Sequence, residues 1–209
     1  MNIVVTGTSG GIGSYIKEAL VTNNINVIEI NSSHADLSKK FIIDFENIDG
    51  LIHCAGINIV KPYKEISKEE FDKVFNTNAY SFVSLCQQIK FNNSSNIIAI
   101  GSLYSILSKE NRIQYAMSKY ALLGAVKTLA LELSKNKIKV NMVSPGFVDT
   151  EMTRKNNSSE RIQELNSFIP LGLTPPKDIA ELCLFLISKN NSITGQNLIV
   201  DGGYSCKSF

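Results

Sequence analysis

A glycine-rich loop near the amino terminus constrains the fold of this chain more than any other feature. An apolar, β-branched run at residues 3–6 leads directly into Gly7, Gly11 and Gly13, and a helical pattern follows. Gly7 permits a tight turn, Gly11 lets a pyrophosphate approach the backbone, and Gly13 lets the helix pack closely against the sheet. The first N–H groups of that helix would face the phosphates. A glycine-rich turn without a ligand is the alternative, but this strand–loop–helix context favours nucleotide binding.

Short apolar runs alternate with helical patterns from end to end. Most runs are apolar on both alternating sets of positions, as expected for strands buried on both faces of a parallel sheet. The expected strands are 3–6, 26–30, 51–54, 96–100, 139–143 and 197–200, with a clipped strand near 35–37 and a rudimentary helix between 31 and 50. The expected helices are about 14–23, 67–90, 114–134 and 176–188. This alternation predicts an α/β fold, a doubly wound parallel Rossmann sheet with helices on both faces, as a single domain over residues 1–209.

Charge and composition exclude several classes of partner. Lys and Arg number 21 against 19 Asp and Glu, and the resulting charge of +2 argues against nucleic acid or an anionic membrane as the main partner. The four cysteines are far apart and there are two histidines, so we expect reduced thiols and no metal site. No run approaches the roughly 18–20 apolar residues of a membrane span, and no signal peptide is recognisable. We therefore expect a soluble, cytoplasmic protein.

A second group of polar residues lies in the middle of the chain. Tyr115 and Lys119 are four residues apart, so on a helix they share one face. A phenol has a reference pKa of about 10, and a nearby ammonium favours tyrosinate and lowers that pKa. The phenol could then exchange a proton with a reacting oxygen. Ser102, directly after a predicted strand, could stabilise charge developing on that oxygen. Taken alone, a Tyr–Lys pair of this spacing is more often a half-exposed helix face.

Together the two groups resemble the short-chain dehydrogenase/reductase family. The loop at 6–13 reads TGTSGGIG, with the family's TGxxxGIG spacing, and Ser102 precedes Tyr115 by the typical thirteen residues. The resemblance covers nearly the whole chain and is of the classical type, similar to the 3-oxoacyl-carrier-protein reductases. It implies an NAD(P)-dependent oxidoreductase that transfers hydride between nicotinamide and a small-molecule carbonyl or alcohol. Tyr115 would be its acid/base, helped by the positive nicotinamide ring, and Lys119 would also hold the nicotinamide ribose.

The resemblance assigns a fourth catalytic residue and a set of cofactor contacts. Asn78 matches an asparagine that lies in a locally disturbed helix and holds a water linking the lysine to solvent; Asn76 is the rival assignment. The cofactor contacts fall beyond the carboxyl ends of the predicted strands, where open α/β sheets bind ligands. They are Gly7, Ser9, Gly11, Ile12, Gly13, Asn31, Ser32, Asp36, Leu37, Ala55, Gly56, Tyr115, Lys119, Pro145, Gly146, Val148 and Thr150.

Individual assignments within this set have alternatives. Asp36 and Leu37 would hold the adenine ring, but Asp36 could instead be a turn aspartate. His53 departs from the family's asparagine, and we interpret it as a buried structural histidine rather than a catalytic base. A carboxylate at position 31 would mark NAD, and an arginine at position 32 would mark NADP. The chain has Asn31 and Ser32, so NAD or NADP remains possible, with a slight preference for NADP.

Two polar segments are expected to shape the substrate site. They are residues 103–114 and 151–166, and the second resembles a lid that we place at about 150–172. Five cations in these segments could receive an anionic group such as a phosphate or an acyl carrier, although a solvated loop is the alternative. They are Lys109, Arg112, Arg154, Lys155 and Arg161.

Two predicted helices carry more apolar and small residues than one sheet face can cover. These residues are Ala79, Phe82, Val83 and Cys86 on one helix, and Ala116, Leu123, Lys127 and Ala130 on the other. Because the family buries such helices against symmetry mates, we expect a homodimer or homotetramer, with a monomer as the alternative. Against an active enzyme stands a catalytically silent NAD(P)-binding sensor of the same fold. A sugar-nucleotide dehydratase or epimerase would usually need a larger carboxyl-terminal domain than the chain provides.

Overall fold

Six parallel strands form one sheet in the order β2-β1-β3-β4-β5-β6. The computed structural model describes residues 1–155 and 157–207. The strands are β1 Asn2–Thr6, β2 Asn26–Ile30, β3 Ile48–His53, β4 Phe91–Ile100, β5 Lys139–Pro145 and β6 Asn197–Val200. Helices cover both faces, and the predicted doubly wound α/β fold is therefore confirmed.

The four predicted helical stretches are present, and two further helices lie in the segment expected to be a polar lid. The helices are α1 Gly11–Thr22, α2 Lys68–Phe75, α3 Ser81–Gln88, α4 Ile113–Glu132, α5 Glu151–Lys155, α6 Ser159–Phe168 and α7 Pro176–Ser188, of which α5 and α6 are the two in the lid segment. Successive residues of a strand point to opposite faces of the sheet. In β1, Ile3 and Val5 accordingly pack in the core that α1 and α7 share. Val4 packs on the other face with residues of α3 and α4. The strands are thus buried on both sides, which explains their continuous apolar runs.

The helix predicted over 67–90 is interrupted in its middle. Ser67 and Glu70 form a reciprocal capping box at the start of α2. A π-helical turn, Asn76–Tyr80, then separates α2 from α3. A π-turn inserts an extra residue into the helix and is common at functional sites. The turn buries Thr77, Asn78 and Ala79, so it agrees with the local disturbance that the family resemblance implies around Asn78.

The strand expected near residues 35–37 does not form. Residues 31–47 run through turns and an irregular segment between β2 and β3. Residues 31–38 include several Asn, Ser and Asp side chains that satisfy backbone groups locally and so compete with strand pairing. Asp36 accepts hydrogen bonds from the Ser38 backbone N–H at 3.0 Å and from its hydroxyl at 2.6 Å. As a result, β2 is the edge of the sheet.

Most of the apolar residues that we expected at an intersubunit interface are buried within the protomer. Ala79, Phe82, Ala116 and Ala130 are buried, with Phe82 completely inaccessible to solvent. The prediction of a surplus was wrong for these residues, because the π-turn and α4 pack against each other over the sheet and cover one another's apolar sides. Val83, Cys86 and Leu123 are partly buried against the same core. Within the described ranges, no helix is both long and apolar enough to cross a membrane.

Candidate active site

The carboxyl ends of the strands open into one cavity of about 620 Å³. The predicted site residues line it, with the exception of Asn78. Those at the cavity wall are Gly7, Ser9, Gly11, Ile12, Gly13, Asn31, Ser32, Asp36, Leu37, Ala55, Gly56, Ser102, Tyr115, Lys119, Pro145, Gly146, Val148 and Thr150. Residues of four separate strand-to-helix connections therefore meet around one space, as expected at the carboxyl edge of a parallel sheet.

The glycine loop leaves its backbone open to this cavity. Gly7 has a φ of +71°, which favours glycine, and a Cβ there would lie 2.8 Å from the backbone of Ala55. A Cβ on Gly13 would lie 2.1 Å from the carbonyl oxygen of Gly7, so the start of α1 can approach β1 only with glycine. A side chain on Gly11 would meet Thr150 across the cavity. The cradle, with the first turn of α1 beside it, fits a dinucleotide pyrophosphate.

A buried hydrogen-bond chain holds the loop and the end of β3 together. The Thr6 hydroxyl accepts the backbone N–H groups of Cys54 and Ala55 at 3.1 and 3.0 Å. Its own proton is therefore directed to Nδ1 of His53, 3.0 Å away. The Nε2 atom of His53 then donates to Ser81 Oγ at 3.3 Å. Burial lowers the pKa of His53 to about 3, so the ring is neutral and structural, as its sequence context indicated.

Ser102, Tyr115 and Lys119 converge at the end of β4. Tyr115 and Lys119 share one face of α4, and the Lys119 Nζ atom lies 5.6 Å from the centroid of the Tyr115 ring. The Nζ atom also donates to the Ile100 carbonyl oxygen at 2.8 Å. Ser102 interacts with the Tyr115 phenol, and its Oγ accepts the Tyr104 N–H at 3.2 Å. Four-residue spacing on a helix therefore does bring these groups together.

The expected lowering of the Tyr115 pKa is not produced by the protein's own groups. Burial raises the pKa of Tyr115 to about 12, and the hydrogen bond with Ser102 opposes this only in part. Burial also lowers the pKa of Lys119 to about 8. Both shifts have one cause, because a low-dielectric environment disfavours the charged form of either group. At neutral pH the phenol is protonated, which is the form that can donate a proton.

Asn78 lies behind the cavity wall rather than in it. Its Oδ1 accepts the Ile57 N–H at 2.8 Å, and its Nδ2 donates to the Ile57 carbonyl and to Ser118 Oγ at 2.9 and 3.0 Å. Gly56 separates it from the cavity, since a Cβ there would be 3.4 Å from Asn78 Oδ1 and 3.6 Å from Lys119 Nζ. The rival Asn76 instead donates to the Ser38 carbonyl at 3.1 Å. Of the two, Asn78 is the one beside the lysine.

The cavity also contains a charged residue that sequence reasoning missed. Lys73 of α2 lines it together with Ser32 and Asp36. The π-turn that follows α2 contacts the irregular segment after β2 through Asn76 and Ser38, and a contact between such distant parts of the chain leaves no local sequence signal. Glu29, in β2 beside this cavity, pairs with Lys17 at 2.6 Å. The Thr8 hydroxyl donates to the Glu29 carboxylate, and the Asn31 Oδ1 atom lies 3.0 Å from the same hydroxyl.

A second cavity of about 320 Å³ adjoins the first on the far side of Tyr115. Its walls come from both segments expected to shape a substrate site, 103–114 and 151–166, and from Phe147 and Tyr204, which sequence reasoning missed. The shared wall consists of Ser102, Tyr115, Gly146, Met152 and Thr153. A molecule in one cavity would therefore meet a molecule in the other at the Ser102 and Tyr115 hydroxyls.

Only part of the predicted cation group reaches this second cavity. Lys109, Arg112 and Arg161 line it. Arg154 is exposed and pairs with Asp149 at 2.9 Å. Lys155 is exposed as well. The structure thus separates three cations at the cavity from two on the outer surface.

Comparisons with known proteins extend over nearly the whole chain. A family model described as enoyl-(acyl carrier protein) reductase matches residues 18–205. The 3-oxoacyl-[acyl-carrier-protein] reductase of Chlamydia trachomatis is 31% identical over 218 residues, which cover 97% of this chain and 86% of that protein.

Solved structures show the same similarity in three dimensions. A Beutenbergia cavernae protein with bound NADP is 25% identical with a TM-score of 0.88, covering 99% of this chain and 97% of its own. A 4-hydroxyisoleucine dehydrogenase complexed with NADH is also 25% identical, with a TM-score of 0.85 and 99% coverage of both chains.

Proposed function

Because the chain belongs to the short-chain dehydrogenase/reductase family and is an NAD(P)-dependent oxidoreductase, we propose that it interconverts a carbonyl and an alcohol with Tyr115 as the acid/base. One observation carries this proposal: Ser102 and Tyr115 lie on the shared wall of the two cavities. A cofactor in the larger cavity and a substrate in the smaller one would meet at these two hydroxyls. Bound nicotinamide supplies or accepts the hydride.

The three side chains then have distinct roles. In reduction, the carbonyl carbon gains a hydride, the C=O electron pair passes to oxygen, and that oxygen takes the phenol proton of Tyr115. The phenol holds this proton at neutral pH because burial raises its pKa to about 12. Ser102 hydrogen-bonds the same oxygen. Lys119, with a pKa of about 8, is mostly charged at neutral pH and stabilises the resulting tyrosinate.

Replacing Tyr115 with phenylalanine tests this assignment. The variant should lose at least 99% of kcat with every accepted substrate, because no other group in the site supplies that proton. Its affinity for the cofactor, measured by fluorescence titration, should change less than about threefold, since the phenol contributes little of the contact area. Tyr15→Phe is the matched control, because Tyr15 is an exposed tyrosine of α1. Wild-type kcat in Tyr115→Phe would remove the acid/base role.

A catalytically silent sensor of the same fold would give a different pattern. It would bind the cofactor but turn over no ketone, keto sugar or acyl thioester with NADH or NADPH. We favour the enzyme because the serine, tyrosine and lysine are all present and adjacent.

We also propose a modest preference for NADP. Asn31 presents an amide at the expected ribose position, where a carboxylate would repel a 2′-phosphate. The Glu29 carboxylate beside it is paired with Lys17. Ser32 is exposed, and Lys73 adds a positive charge to the lining of the same cavity. The related structures contain NADP in one case and NADH in the other, so they do not favour either.

An isologous dimer through α4 is the assembly that we propose. Ile113, Met117 and Tyr120 are each nearly half exposed on the outer side of this helix, and they line one shallow apolar groove. Light scattering at low micromolar concentration should give twice the chain mass of 23.0 kDa. A mass of one chain would contradict the dimer.

The free cysteines of the described residues suit the reducing cytoplasm, which we propose as the compartment of this protein.

A further inference from the structure

The cavity beside Tyr115 combines positive charge with unpaired polar atoms. Lys109, Arg112 and Arg161 line it, and its described lining contains no Asp or Glu. Arg112 is only 8% exposed, and its Nε atom is buried with no hydrogen-bond partner in the described part of the chain. The Oδ1 atom of Asn58, another lining residue, is also buried and unpartnered there, but it is an acceptor and needs a donor group from a ligand. A buried donor without an acceptor costs free energy, so this site is incomplete by itself.

The three positive charges at this cavity also repel one another. The pKa of Lys109 lies below its usual range, first because of burial and then because of the charges of Arg112 and Arg161. In the described part of the chain, a carboxylate pairs with one of the three: Glu164 with Arg161 at 2.9 Å, on an exposed part of α6. Among the described residues, the Arg112 Nη1 atom donates to the neighbouring Asn111 carbonyl at 3.3 Å. An anion in the cavity would relieve both the repulsion and the unpaired donor.

Arg112 is held close to the reacting group by the fold. It is the N-cap residue of α4, three positions before Tyr115, and its charge acts on the pKa of Tyr115 and of Tyr104. A group bound by Arg112 would therefore belong to the same small molecule as the carbonyl that Tyr115 protonates. The volume of about 320 Å³ is at the lower end of small-molecule pockets.

We propose that this cavity selects a carbonyl or alcohol substrate that carries a carboxylate or phosphate group, with Arg112 as the principal anion ligand and Lys109 and Arg161 beside it. The planar guanidinium can bind either group with two parallel N–H donors. This substrate class rests on the proposed function of Ser102 and Tyr115. It makes Arg112 a specificity-determining residue rather than a residue of the solvated surface, in contrast to Arg154.

Matched substrates test the proposal. A panel of short oxo acids should be reduced with a kcat/KM at least tenfold higher than that of their methyl esters. If phosphate is the preferred anion, a keto-sugar phosphate should likewise have a higher kcat/KM than the unphosphorylated sugar. Arg112→Gln should raise KM for the charged substrate by about 10- to 100-fold, the range for a lost charge-assisted hydrogen bond. It should change KM for the neutral partner by less than threefold. Arg154→Gln, which removes an exposed arginine, is the control.

Direct binding gives a readout that does not depend on turnover. Calorimetric titration of the wild-type protein with succinate, and separately with inorganic phosphate, distinguishes the two anions. We expect one of them to bind, and Arg112→Gln and Lys109→Gln to weaken it at least tenfold while Arg154→Gln leaves it unchanged. Lys109→Gln and Arg161→Gln test the site if Arg112→Gln fails to fold in a thermal unfolding scan.

The outcomes separate this inference from the proposed function. Equal kcat/KM for charged and neutral partners, or anion binding that survives in Arg112→Gln, would overturn the anion site while Tyr115 remained catalytic. Anion binding without turnover of any substrate would support the anion site and remove the proposed reaction.

Discussion

Replacing Lys119 with methionine tests how far burial lowers the pKa of the Lys119 ammonium group. The pKa of Lys119 falls from 10.5 to about 8 because the side chain is only 4% exposed. Between these two values the unfolded chain binds more protons than the folded one, so the free energy of unfolding rises with pH in this window. Integrating from pH 7 to pH 9.5, the wild-type protein should gain about 2 kcal/mol relative to Lys119→Met, which has no proton to lose.

Urea unfolding of both proteins at several pH values between 7 and 9.5 measures this difference. Comparing the two proteins cancels the titration of groups that they share. Lys127→Met is the matched control, because Lys127 is an exposed lysine on the same helix. Its difference from the wild-type protein should be constant over the pH range. A constant difference for Lys119→Met as well would show that Lys119 has an ordinary pKa, and the desolvation argument for the whole site would fail.

Two further substitutions examine the cofactor cavity. Asn31→Asp should reverse the NADPH preference, because a carboxylate at this position repels a 2′-phosphate; a kcat/KM ratio that still favours NADPH would show that the ribose lies elsewhere. Gly13→Ala should weaken NADPH binding at least tenfold and lower Tm, since its Cβ would lie 2.1 Å from the Gly7 carbonyl oxygen. Its control is Gly124→Ala on α4, where the added Cβ would have no neighbouring atom within 4 Å. This substitution should raise the free energy of unfolding by about 0.5–1 kcal/mol. Equal NADPH affinity in the two alanine variants would refute the close-packing argument.

Local patterns in the sequence determined most of the framework. The alternation of apolar runs and helical segments predicted five of the six strands to within about three residues, and β4 differs because it begins earlier, at Phe91. Periodicity works here because a strand or helix is specified by the residues inside it. The glycine loop and the Tyr115–Lys119 pair were also predictable, since each depends on backbone geometry over fewer than ten residues. The family resemblance added the expected cofactor contacts, whose residues line the larger cavity.

Only the tertiary structure decided the properties that depend on burial and on contacts between distant segments. The absent strand near 35–37 is a different case, because the hydrogen bonds of Asp36 with Ser38 are local and compete with strand pairing at the edge of the sheet. The opposite shifts of the Tyr115 and Lys119 pKa values arise because both groups leave water, and a sequence does not state how deeply a side chain is buried.

The five cations in two polar segments show the same division. In the sequence they are equivalent, and a solvated loop explains them as well as an anion site does. In the fold, Lys109, Arg112 and Arg161 face one cavity, whereas Arg154 pairs with Asp149 on the surface. The sequence determined which charges exist and where the helices begin. The packing of α6 across from the start of α4 decided which of those charges share a space, because that distance is set by contacts between segments about 50 residues apart.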